Sequence, residues 1–141
     1  MHGRIRQADT DELWATSKST PEQAMANGLS MSSDVWTMTV DGNPLCMCGV
    51  VSVGQSVGVP WMIGTEDIER HAMAFLRLSV RHMKVVVANY NHLINYVDDR
   101  NVIAISWLKW LGFTMDEPAP FGPFGVMFRR FEMRAAPCVI Q

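Results

Sequence analysis

The apolar positions of this chain recur with two different periods, and the places where the period changes mark its elements. Residues 4–8 (Arg-Ile-Arg-Gln-Ala) read as a short strand, after which Asp9 and Thr10 offer capping oxygens to a helix through Leu13 and Trp14. A second helix starts at Thr20-Pro21-Glu22, where proline suits the first helical position, and is expected to stop near Asn27-Gly28. Residues 35–40 are β-rich, Asp41-Gly42-Asn43-Pro44 is turn chemistry, and 45–53 is apolar on both faces. That predicts a hairpin whose second strand lies inside a sheet. A glycine-punctuated loop at 54–58 leads to a strand over 59–63.

The longest helix is predicted from about residue 66 into the high 80s, with Met73, Leu76, Val80 and Met83 as its apolar stripe. Arg70, Arg77, Arg81 and Lys84 form a second stripe, which reads as a solvated face, with an acidic partner as the alternative. Then come a strand over 93–97, a helix over 101–111 and Gly112 as its stop. Ala104, Trp107 and Leu111 share the spacing of a buried face on that helix. Strands over 113–117 and 126–133 close the chain, joined by a Pro/Gly-rich loop at 118–125. Helices placed between strands predict an α/β fold, a mixed central sheet of six to seven strands with about four helices. The whole reads as one domain over residues 1–133 with a C-terminal tail at 134–141.

Composition narrows the class. The chain has 141 residues, 48% of them apolar and 18% charged, which suits one folded core and argues against disorder. A formal charge of −2 gives no basic excess, so no nucleic-acid partner is expected. No run of roughly 18 apolar residues predicts a membrane span, and the polar start has no signal-peptide character. Three cysteines and no export signal favour a reducing interior. Eleven methionines imply an adaptable core and identify no cofactor.

One segment carries a family resemblance. Asn101, Ala104, Gly112 and Phe113 stand at the spacings common in GNAT acetyltransferases: a capping asparagine, a small residue three later, and Gly-Phe closing the helix. The order of elements is also the one GNAT domains use. A narrower likeness spans Leu93-Ile94-Asn95-Tyr96-Val97, Asn101, Leu108-Lys109 and Gly112. It resembles the internal virion protein A family of short-tailed phages, which has a GNAT-like fold. Looser agreement covers Ile5-Arg6 and Gly42-Asn43-Pro44-Leu45. The resemblance implies a phage protein located in the virion or the host cytoplasm, with phage or host proteins as partners.

What it implies about chemistry is mixed. An active GNAT enzyme holds the coenzyme A pyrophosphate where a strand meets the long helix, on a loop of the form Gln/Arg-x-x-Gly-x-Gly/Ala. Here that place reads Gly64-Thr65-Glu66-Asp67-Ile68-Glu69, with one glycine, three carboxylates and no basic residue. If acetyl-CoA were bound, Ile63, Gly64, Thr65 and Asn101 would be the cofactor residues. Where many GNAT enzymes carry a tyrosine acid, seven after the asparagine, this chain has Leu108. Tyr96 is the available substitute and Asp98 the available base, although a sheet role for the one and solvation for the other explain them as well. His71, His82 and His92 have no acid at catalytic spacing. Cys46-x-Cys48 lacks the partners of a zinc site, no metal is expected, and burial predicts inert thiols. Cys138-Val139-Ile140-Gln141 matches a prenylation box, which the phage likeness makes a chance match. The expectation is therefore a protein that works by binding other proteins with degenerate acetyl-CoA catalysis and no cofactor. The alternative is an acetyl-CoA-dependent N-acetyltransferase acting on a host protein or small amine.

Overall fold

The computed structural model describes residues 5–134. Two helices, α1 (Gln7–Ser17) and α2 (Pro21–Met31), precede the hairpin of β1 (Asp34–Val40) and β2 (Asn43–Ser52). β3 (Val57–Gly64), α3 (Ala72–Asn89), β4 (His92–Asp98) and α4 (Val102–Leu111) follow, and then β5 (Thr114–Met115), β6 (Ala119–Phe121) and β7 (Val126–Arg134). All seven strands belong to one mixed sheet in the order β1-β2-β3-β4-β7-β5, with β6 also paired to β7. The α/β class and a mixed sheet of seven strands with four helices agree with the expected six to seven strands and about four helices, although one expected strand is absent and an unexpected one takes its place in the count. β7 takes in Arg134, the first residue of the expected tail, and Cys138 with the rest of 135–141 lies outside the described residues.

Local chemistry accounts for most of the boundaries. Asp41 and Gly42 both have positive φ (51° and 79°), the two-residue turn that matches strand twist and that an Asp-Gly pair favours. Thr20 and Gln23 make a reciprocal capping box ahead of Pro21. Asn101 caps α4 by accepting the Ala104 N–H, and Gly112 closes that helix at φ 106°.

Five expectations need correction. The strand at 4–8 reduces to a single bridge between Ile5 and Thr65, because α1 already begins at Gln7. α2 runs through Gly28 to Met31, since that glycine serves close packing against Trp61 and not a helix stop. The long helix begins at Ala72, and Glu66–Ile68 is a separate 3₁₀ turn. Its buried residues are Phe75, Ser79 and Val86, whereas Met73 is 71% exposed. Apolar residues are so frequent along α3 that their spacing does not fix which face turns inward. Finally, β6 forms inside the segment expected to be a loop.

α2 and α3 cover opposite faces of the sheet. Trp61 lies beneath α2 at Gly28, while the next residue, Met62, joins the core cluster containing Cys48, Phe75 and Trp107. A second cluster of Val50, Val86, Leu93, Val97, Phe113 and Phe131 packs with Ala104 and Leu108. Among the described residues no helix is long and apolar enough to cross a membrane.

Candidate functional site

β3 and β4 run parallel but pair only at Val57–His92 and Gly58–Leu93, so they part toward their C-terminal ends. Pro60 in β3 has no N–H to donate, and its carbonyl instead accepts the Asn95 side-chain amide across the gap at 2.6 Å. The parting strands leave a cavity of about 300 Å³. Trp61 lines it from the α2 face, and Met62, Cys48, Phe75 and His82 from the α3 face, so it passes through the sheet.

The open end of this gap is bridged by the first two turns of α1. Asp9 and Glu12, three apart and therefore on one helix face, each take a backbone N–H from a different strand end. The Gly64 N–H at the end of β3 donates to Asp9 Oδ2 (2.7 Å), and the Asp98 N–H at the end of β4 donates to Glu12 Oε1 (2.5 Å). Arg6 holds the arrangement from behind. Its Nη1 meets Asp9 Oδ1 at 3.1 Å and its Nη2 reaches Asn101 Oδ1 at 3.3 Å and Glu69 Oε1 at 3.5 Å. The guanidinium also lies 5.6 Å from the centre of the Trp107 ring. Its own N–H donates to the Gly64 carbonyl.

Burial pushes both carboxyls above their ordinary values. For Glu12 the shift reaches about 7: burial dominates, Asp9 and Asp98 add like charge, and the Asp98 N–H opposes them. Asp9 moves the same way, again chiefly through burial, against the pull of Arg6 and the Gly64 N–H.

The structure separates the residues that the sequence singled out. Tyr96 and Asn101 line the cavity, Tyr96 stacked on Phe121 with ring centres 4.2 Å apart. Asp98 is buried beside it, its carboxylate bound by Arg100 at 2.6 Å. Ile63, Gly64 and Thr65 are buried and lie outside the cavity lining, with Asp9 against the Gly64 N–H. The Thr65 N–H is also taken, by the Leu45 carbonyl. Glu66 and Asp67 sit in the 3₁₀ turn, Asp67 paired with Arg70, and α3 starts only after them.

Sequence reading assigns no site role to three residues: Arg6, Asp9 and Glu12. Their i, i+3, i+6 spacing was the available signal, hidden because Asp9 suggests a cap. His82, which has no acid partner in the sequence, meets a thiol instead: its Nε2 lies 3.8 Å from Cys48 Sγ. The Cys48 thiol is drawn below its ordinary value, first by a hydrogen bond from Cys46 and then by His82, while burial resists. Cys46 is pushed the opposite way by the same bond and by burial. Among the described residues no group of three or more His, Cys, Asp or Glu side chains could hold a metal ion.

No family profile matches the chain, and no curated protein matches it in sequence. Solved structures do match its fold. The ribosomal-protein-S18-alanine N-acetyltransferase of Escherichia coli aligns with TM-score 0.65 and 14% identity over 99% of this chain and 88% of that one. A GNAT-family acetyltransferase from Streptococcus pneumoniae aligns with TM-score 0.61 and 10% identity over 84% and 78%. The Vibrio cholerae spermidine N-acetyltransferase SpeG, as a mutant, gives 0.60 and 12% over 83% and 76%. At these identities the likeness is one of fold: this chain has the GNAT fold.

Proposed function

We propose that this is a phage protein that keeps the GNAT fold but works by binding other proteins, in the virion or the infected host, without acetyl-CoA chemistry. The observation that carries this reading is the Asp9 carboxylate on the Gly64 N–H at 2.7 Å. A backbone donor at the end of this strand is what a pyrophosphate would need, and an internal anion already holds it. Glu66, Asp67 and Glu69 add negative charge around the same turn. A phosphate arriving there meets repulsion without a free basic loop residue to offset it. The phage setting rests on the resemblance over residues 93–113. Partner binding is supported by the exposed apolar side chains of α4, Val102, Ile103 and Trp110.

A second reading, an acetyl-CoA-dependent N-acetyltransferase acting on a host protein or small amine, is favoured by the cavity between the parted strands. Tyr96 and Glu12 on its walls would be its acid and base, with Asp98 as the neighbouring carboxylate. Calorimetric titration with acetyl-CoA separates the two. The binding-protein reading expects a dissociation constant of about 0.1 mM or weaker, and micromolar binding would replace it with the enzyme.

A further inference from the structure

The Cys48–His82 pair lines the same cavity as Asp9 and Glu12, and neither reading above gives it a role. Cys48 is almost fully buried from bulk solvent, yet its side chain and that of His82 both line the cavity. The imidazole is fixed by an edge-on contact with Trp36, ring centres 4.3 Å apart, which presents Nε2 to the sulfur. Ser79, three residues before His82 on α3, contributes a hydroxyl to the same wall. Cys46, two residues away on β2, is completely buried and does not line the cavity.

A thiol with an imidazole in reach is the arrangement of an activated nucleophile, and here it faces the cavity between the parted strands. We propose that Cys48, served by His82, is an acyl-acceptor site for a small uncharged thioester held in the cavity between β3 and β4. The Cys48 sulfur attacks the thioester carbonyl carbon while its proton passes to His82 Nε2. The donor carbon–sulfur bond then breaks, and the departing thiolate takes that proton from His82. One thioester and one thiol give another thioester and another thiol, so no oxidant is required. An acyl donor uses both transfers of that proton, whereas an alkyl halide would leave it on His82. Size and charge set the class of donor. About 300 Å³ is the small end of ligand pockets, and the lining holds Asp9 and Glu12 but no lysine or arginine.

The test is incubation of the purified protein with S-acetyl-N-acetylcysteamine, a small neutral thioester, followed by peptide mass spectrometry. Cys48 is expected to gain one hydroxylamine-labile acetyl group at least about tenfold faster than Cys46, and His82→Gln to slow it by about tenfold or more. Protein unfolded in urea supplies the reference in which the two thiols react alike. Equal labelling of Cys46 and Cys48 in the folded protein would overturn the proposal, as would an unlabelled Cys48. A folded His82→Gln variant that labels at the wild-type rate would overturn it too. Should that variant fail to fold, the Cys48-to-Cys46 ratio in the wild type still decides.

Discussion

A glutamate carboxyl that titrates near 4.5 in an unfolded chain is held at about 7 when it is Glu12 in this fold. Between those values the folded state binds the extra proton, so stability falls as pH rises through that window and levels off above it. The full shift corresponds to roughly 3 kcal/mol as an upper bound. Glu12→Gln keeps an oxygen that can accept the Asp98 N–H but cannot ionise. Urea unfolding of this variant is expected to lose most of the downward slope between pH 4.5 and 7 and to exceed the wild type above pH 7. A variant with the wild-type slope would show that Glu12 does not lose its proton in that window. Asp9 contributes a slope of the same sign, because its carboxyl is also raised. None of this was legible from composition. Asp9 in a helix beginning reads as a cap, and only the folded chain brings Gly64, 55 positions on, to its carboxylate.

At the level of elements, close approach decides more than propensity. A Cβ on Gly28 would lie 2.6 Å from the Trp61 ring, so α2 sits against β3 with no room for a methyl group. Gly28→Ala is expected to cost about 1–3 kcal/mol by overpacking, although alanine favours a helix, and thermal unfolding would show the loss. On the opposite face Trp107 is only 8% exposed and meets Phe75 with ring centres 4.8 Å apart. Trp107→Ala should destabilise by about 3–5 kcal/mol, and unchanged urea unfolding would mean that α4 packs another face inward. This buried position was legible, because Ala104, Trp107 and Leu111 recur at helical spacing between the two ends that Asn101 and Gly112 fix. The face of α3 was not, because Met73 and Val80 are as apolar as Phe75 and Val86 while a serine takes one core position. Strand β6 shows the same limit. Ala-Pro-Phe at 119–121 looks like a loop until β7 offers it an edge.

For the molecule as a whole, the order of elements and the Asn101, Gly112 and Phe113 spacing led to the right fold, because both depend on local signals repeated along the chain. The closing of the gap between β3 and β4 did not appear in those signals, since it joins α1 to two strand ends far away in sequence. The GNAT fold opens a parallel strand pair, and in this chain two carboxylates of α1 occupy the backbone donors at the opening. Fold likeness and the proposed loss of cofactor binding are therefore compatible in one structure. The most direct test follows the Gly64 amide by NMR in the ¹⁵N-labelled protein during titration with acetyl-CoA. With Asp9 in place, the Gly64 resonance should keep its shift and its slow hydrogen exchange up to about 0.1 mM ligand. A saturable shift of that amide at micromolar acetyl-CoA would mean that the pyrophosphate displaces Asp9, and would contradict the account.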